Sequence, residues 1–233
     1  MIVTTLRDRP NKSCISQEKA DSYCMRFASR TEAGRLLGEH LRILSVQADL
    51  VLGLPRGGVV VAAEVARILN RPLVTLVVRK IGHPHHRELA VGAIAEPDVV
   101  VFDADLLRWS PPSHAELEAV EIEETQRLHR YQKLFHPAGL PGLKDKNVLL
   151  VDDGLATGAT MEAAVRAAIN CAIASVIVAV PVASTQAITR LEHFADKVIA
   201  LEADRHFIAV GHYYETFAQV TDGEVLDLLK AAA

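Results

Sequence analysis

Five residues with an unbroken apolar centre, NVLLV at 147–151, run without a spacer into two aspartates and then into GLATGAT. A short apolar run of this kind fits a strand buried on both faces, the condition of strands in a parallel sheet covered by helices. Helical periodicity starts again at Thr160. Residues 152–160 must therefore turn the chain from a buried strand directly into a helix, which is the connection that a parallel α/β fold requires.

The same alternation recurs along the chain. Residues 29–44 place Ala33, Leu36, Leu37, Leu41 and Leu44 at helical spacing. DLVLGLPRGG (49–58) reads as a strand entering a turn, VVVAAEVARIL (59–69) as a helix, and residues 73–78 as the next strand. DVVVF (98–102) is another short strand, and no helix fits between it and residue 78, so a hairpin-like excursion joins them. Ser113 and Glu116 form a capping-box pattern that opens a charged helix to residue 135. After the loop HPAGLPGLKDK, strands at 147–151, 175–180 and 197–201 alternate with helices at 160–172 and 185–194. A last helix opens at the capping box Thr221…Glu224. The expected fold class is α/β, a parallel sheet with helices on both faces. With 233 residues, half of them hydrophobic, the chain suits one such domain at 25–233 behind a polar tail at 1–24.

Charge and patterning exclude other classes. A formal net charge of −4 provides no footprint for nucleic acid. No apolar run approaches the ~18 residues of a membrane span, and the start MIVTTLRDRPNKSC lacks the apolar centre of a secretory signal. Cys14, Cys24 and Cys171 show no CxxC spacing and read as reduced thiols, which together indicates a cytoplasmic protein.

In such sheets ligands bind beyond the carboxyl ends of the strands. At 152–160, Gly158 permits close backbone approach, the N–H groups of 156–160 face a helix N-terminus, and Thr157 and Thr160 add hydroxyls. This suits a phosphate monoester, while Asp152 and Asp153 suit sugar hydroxyls or water on Mg²⁺; a ribose 5-phosphate satisfies both. No GK[ST] follows the glycines, which excludes a Walker A loop, and no GxGxxG is present. In GLPRGG (53–58), Arg56 and two glycines at a helix start suit a second anion. Residues 77–94 carry Arg79, Lys80, Arg87 and three histidines in a segment that suits a lid. His83, His85 and His86 read as lid residues rather than metal ligands, because Pro84 breaks their spacing and no acid partner is evident. Tyr213, Tyr214 and Phe217 read as packing residues.

The apolar strand, paired acids and GLATGAT resemble the 5-phosphoribosyl-1-pyrophosphate motif of type I phosphoribosyltransferases. VRKIG (78–82) is similar to the VRKxG of adenine and related transferases, and EADRHFIAVGHYYETF (202–217) resembles the hood of hypoxanthine-type members. The resemblance implies a parallel-sheet fold with a flexible hairpin lid and a small hood at about 202–233. It implies that Ala156, Thr157, Gly158, Ala159 and Thr160 hold the 5-phosphate and that Arg56, Gly57 and Gly58 hold pyrophosphate. Asp152, Asp153, Arg79 and Lys80 would be catalytic, and Val182, Asp204 and Phe207 would line the base pocket. Mg²⁺ is the implied cofactor, held by Asp152, Asp153 and Asp204, directly or through water. The implied partners are 5-phosphoribosyl-1-pyrophosphate and a nitrogenous base, with no nucleic acid or membrane, in a homodimer. Ala156 stands where 6-oxopurine enzymes carry a third acid, and Pro181 stands where they carry a lysine; both departures count against a hypoxanthine or guanine acceptor. The alternative is a regulator that senses phosphoribosyl pyrophosphate or nucleotides without catalysis. A sugar-phosphate isomerase or Rossmann-like binder does not account for both the 53–58 and the 151–160 motifs.

Overall fold

The computed structural model describes residues 26–97, 99–137 and 139–232, so the expected tail at 1–24, with Cys14 and Cys24, lies outside the described residues. In chain order the elements are α1 (Arg30–Ile43), β1 (Leu50–Gly53), α2 (Gly57–Leu69), β2 (Leu73–Thr75), β3 (Val78–His83), β4 (His86–Ala95) and β5 (Val99–Phe102). Then follow α3 (Ala104–Trp109), α4 (His114–Phe135), β6 (Asn147–Val151), α5 (Ala159–Asn170) and β7 (Ser175–Ser184). The chain closes with α6 (Thr185–Leu191), β8 (Lys197–Asp204), a 3-10 turn (Val210–Tyr213) and α7 (Asp222–Ala231).

Five parallel strands in the order β2-β1-β6-β7-β8 form the central sheet. Their side chains alternate between two apolar layers, as the period of a strand dictates. Val51, Leu149, Ala179 and Ile199 face α1 and α2 through Leu37, Leu41, Val61 and Val65. Leu52, Leu150, Val178 and Val198 face α5 and α6 through Met161, Ala164, Ala187 and Leu191. The excursion is a second sheet, antiparallel, in the order β3-β4-β5. The helix starts agree with their caps: Ser29 accepts from Glu32, and the Ser113–Glu116 and Thr221–Glu224 capping boxes are both formed. Among the described residues no helix is long and apolar enough to cross a membrane.

Three features differ from the sequence expectation. The apolar run at 73–78 is split between the two sheets: Leu76 N–H still donates to Gly53 at 3.1 Å, but Val77 N–H donates to the Glu96 carboxylate at 2.7 Å. Apolarity is continuous across this transfer, so periodicity gives no sign of it. Strand β7 continues past Val180 to Ser184, and β8 continues past Leu201 to Asp204. The pairing of β7 with β6 ends at Ala179 while its pairing with β8 persists, so Pro181 lies where the strand has lost one ladder partner and its missing N–H is tolerated. The short α3 and the 3-10 turn have too few residues to show a period.

One polar cluster ties the two sheets together. Glu162 of α5, whose side chain is 5 % exposed, accepts from Arg166 Nε at 2.9 Å and from Arg190 Nε at 2.6 Å. Arg190 also donates to Asp103, just beyond β5, at 2.9 Å. Replacing Glu162 with alanine leaves Arg190 short of one partner. Because Arg190 keeps 25 % of its surface exposed, the expected loss lies at the low end for a broken buried pair, about 3 kcal/mol in urea denaturation.

Candidate active site

The turn after β6 is held by the extended end of β7. Leu155 N–H donates to Val182 at 2.9 Å, Ser184 N–H donates back to Leu155 at 2.9 Å, and the Ser184 hydroxyl donates to the Ala156 carbonyl at 2.6 Å. These bonds leave Ala156 and Thr157 exposed above the sheet. Gly158, with φ at 77°, is in the left-handed region that favours glycine, and its reversal aims the first turn of α5 outward. The N–H groups of that turn have no intrahelical acceptor and carry the positive end of the helix dipole. An anionic oxygen is their natural partner.

Beside this cradle, Asp152 Oδ1 accepts from the Asp153 N–H at 2.8 Å, and Asp153 Oδ2 accepts from Arg30 Nε at 2.7 Å. The Tyr214 hydroxyl donates to the Asp153 carbonyl at 2.6 Å. Burial, followed by the Asp153 charge, pushes the Asp152 carboxyl well above the usual range. Burial also raises Asp153, against the pull of Arg30. Burial and the Asp153 charge hold the Tyr214 phenol far above its ordinary value, so it remains a donor.

The 53–58 loop lies directly against the acids. A Cβ on Gly57 would strike Asp153 Oδ2 and come within 2.8 Å of Arg30 Nε; one on Gly58 would come within 2.6 Å of Asp152 Oδ1. Two glycines are thus required by the closeness of the carboxylates. The Pro55–Arg56 peptide is cis, and Arg56 Nη1 lies 3.7 Å from Asp222 Oδ1 at the start of α7. Arg79 and Lys80 project from β3 rather than from a loop. Arg79 Nε pairs with Glu124 of α4 at 3.0 Å, and its guanidinium lies 5.6 Å from the Tyr131 ring centroid.

One cavity of about 390 Å³ is lined by Arg56, Gly57, Arg79, Lys80, Asp152, Asp153, Ala156, Thr157, Gly158, Ala159, Thr160 and Val210. Gly58, Val182, Asp204 and Phe207 are not among its lining residues. Gly58 supports it from behind Asp152, and Val182 is buried beneath Gly154. The Asp204 carboxylate accepts from His206 N–H at 2.7 Å and from the Tyr213 hydroxyl at 2.6 Å, and Phe207 stacks on Tyr213 at 5.2 Å. The expected set Asp152, Asp153 and Asp204 is not gathered, because Asp204 is engaged with His206 and Tyr213. Among the described residues no group of three or more His, Cys, Asp or Glu is arranged to hold a metal ion. The pair Asp152 and Asp153 nevertheless suits Mg²⁺, which commonly takes one or two carboxylates and completes its shell with water and ligand phosphate oxygens.

The histidines at the hairpin tip have their own partners. His83 Nε2 lies 3.0 Å from the Ser110 carbonyl, and His85 Nε2 lies 3.1 Å from Glu116. The acid partner that sequence spacing did not reveal is thus the capping glutamate of α4. Sequence reasoning also missed Arg30, Val210 and the site contact of Tyr214. Each lies more than 50 residues from the 152–154 segment it meets, and no local pattern marks it. Phe217 and Tyr214 do pack, as expected, but they pack on Arg30.

The family described as phosphoribosyl transferase domain matches residues 28–215. This chain belongs to that family. Over 208 residues it is 42 % identical to a "putative phosphoribosyl transferase" of Mycobacterium tuberculosis in each of two strains, CDC 1551 / Oshkosh and ATCC 25618 / H37Rv. The match covers 88 % of this chain and 47 % of those relatives, so the chain spans about half their length. The crystal structure of TT1426 from Thermus thermophilus is 43 % identical, with a TM-score of 0.72, over 90 % of this chain and all of that one. The family match ends at residue 215, two residues before Phe217 and seven before Asp222, so these two contacts to Arg30 and Arg56 lie beyond it.

The acid pair yields a pH-dependent prediction for the ligand-free protein. A carboxyl raised above its unfolded value costs stability progressively as pH rises from the unfolded value through the folded one, and that penalty is absent below the unfolded value. Asp152→Asn keeps an oxygen for the Asp153 N–H but removes one charge. The variant is expected to have a higher urea midpoint than wild type at pH 7, and the gain should fade as pH falls towards about 4. Denaturation curves at both pH values check this.

Proposed function

We propose that this protein is a phosphoribosyltransferase that uses 5-phosphoribosyl-1-pyrophosphate and Mg²⁺ to convert a nitrogenous base into a ribonucleotide, releasing pyrophosphate. The observation that carries this reading is a single cavity in which Thr157, Asp153 and Arg56 all line the wall. A monoester cradle, a pair of acids and a cationic glycine loop match the 5-phosphate, the diol and the diphosphate of one donor molecule. Activity, acceptor and assembly are parts of the proposal, which the family resemblance extends to a cytoplasmic homodimer.

In the proposed reaction the base nitrogen attacks the anomeric carbon as the bond from that carbon to the pyrophosphate oxygen breaks. Positive charge develops on the ribose ring and negative charge on the leaving group. The 156–160 loop anchors the 5-phosphate, so the anomeric carbon is presented at a fixed distance from the cradle. Asp152 and Asp153 accept hydrogen bonds from the 2- and 3-hydroxyls, and their charge favours the cationic ring. Arg56, Arg79 and Lys80 take up the charge of the departing diphosphate. Mg²⁺ bound with the donor would supply further neutralisation there. Arg79 and Lys80 already line the cavity, and the tip of the β3–β4 hairpin is the part that would close as a lid over the diphosphate and exclude water. The acceptor would enter beside Val210, whose side chain overhangs Gly154.

Pyrophosphate release measured with Mg²⁺, the donor and a panel of bases tests the proposal. Release that depends on one base is expected; donor binding with no release for any base would establish the sensor instead. With the active base, Asp153→Asn is expected to lower kcat by about 10²–10³-fold while circular dichroism stays unchanged. Thr157→Val is expected to raise KM for the donor about tenfold, the value of one hydrogen bond to a charged oxygen.

A further inference from the structure

Arg30, the first residue of α1, has 12 % of its side chain exposed and makes more contacts than a surface ion pair needs. Its Nε donates to Asp153 Oδ2 at 2.7 Å, and its Nη1 donates to the Ala218 carbonyl at 2.8 Å. Its Cζ lies 3.7 Å from the centroid of the Phe217 ring and 6.0 Å from that of Tyr214. The backbone around these side chains is stitched as well. Phe27 N–H donates to Tyr213 at 2.8 Å, Glu215 N–H to Phe27 at 2.8 Å, and Thr216 N–H to Ala28 at 3.1 Å. The segment before α1 and the segment after the 3-10 turn thus run side by side and meet at Asp153, whose main-chain carbonyl is held by Tyr214.

We propose that Arg30 is a positioning residue for phosphoribosyl transfer, clamping one oxygen of Asp153 so that the other is presented to a ribose hydroxyl, with Phe217 and Ala218 fixing the guanidinium that does so. The inference rests on the function proposed above and adds to it a residue and a coupling that the motif does not contain. A carboxylate with a free χ2 torsion turns through a broad range of angles. A guanidinium held by one hydrogen bond on a carbonyl and by stacking on a ring removes that freedom from the carboxylate it grips. Asp153 Oδ2 is also the atom nearest to a Cβ on Gly57, so the gripped oxygen is held against the 53–58 loop. Lysine carries the charge but has neither the planar face for Phe217 nor the Nε geometry, and so does not substitute for it. The C-terminal segment thereby aims the acid that meets the sugar.

The test uses the full chain with the donor, Mg²⁺ and the active base, comparing Arg30→Lys, Arg30→Gln and Phe217→Leu. Misaiming a reacting group by ~1 Å lowers turnover about 10²-fold. Both Arg30 variants are expected to lose roughly that much in kcat, while KM for the donor, dominated by phosphate contacts, moves less than about threefold. Phe217→Leu, which leaves Arg30 in place without its platform, is expected to lose kcat in the same direction and by less. Arg30→Ala should regain part of its kcat when guanidinium is added to the buffer, a response that lost packing alone does not give. An Arg30→Lys enzyme within twofold of wild type, or a change confined to KM, overturns the proposal. If Arg30→Gln fails to fold, Arg30→Lys and Phe217→Leu decide it by the same criteria. A wild-type protein that releases no pyrophosphate with any base overturns the proposed function itself, whereas active wild type with unaffected variants overturns only the role of Arg30.

Discussion

Two neighbouring carboxylates with little water around them repel each other, and much of this site is arranged to contain that repulsion. Asp152 turns one oxygen onto the next backbone N–H; Asp153 is gripped by Arg30 and supported by Tyr214. The loop opposite has no side chain at Gly57 or Gly58 because none would fit. The cost of holding the acids together in the empty state is what a ligand bearing hydroxyls or a divalent cation relieves on binding. Stability and ligand affinity are therefore opposed at this point of the fold, and the helices elsewhere provide the margin.

The scaffold explains why the acids can be held there at all. A five-stranded parallel sheet buried on both faces ends its strands along one edge; β1 and β6 lead to Arg56 and Asp152 there, and β3 of the antiparallel sheet brings Arg79 to the same cavity. The extension of β7 beyond β6 gives the 155–160 turn a rail, through Val182 and Ser184. Glu162 and Arg190 then anchor the helix behind that loop to the antiparallel sheet that carries Lys80. The cradle and the hairpin are accordingly parts of one mechanical frame.

The fold was legible because strand and helix periods alternate cleanly and two helices open on capping boxes that are visible in the sequence. That the 156–160 turn, the acid pair and the glycine loop share one cavity was legible for a related reason: each is a contiguous motif at a strand end. What the sequence concealed depends on distant chain segments. Arg30 and Phe217 acquire meaning only when α1 and the C-terminal segment meet. Asp204, which as a lone acid after a strand looks available, is committed to Tyr213 and His206. Glu116 caps a helix, and only the folded hairpin brings His85 to it. The transfer of the chain between sheets at Leu76 and Val77 was hidden because both sides of the break are equally apolar.

The pairing of residues 27–28 with 213–216 also bears on the order of assembly. A polypeptide emerges amino end first and domains gather as their parts become available. The central sheet can pair its strands once β8 has been made, yet Asp153 receives its full set of restraints only after Phe217 and Ala218 have appeared. Phe217 and Ala218 follow β8 in the chain, so a nascent chain stalled between β8 and these residues would hold a nearly finished sheet around an Asp153 carboxylate whose partner, Arg30, is not yet fixed in place.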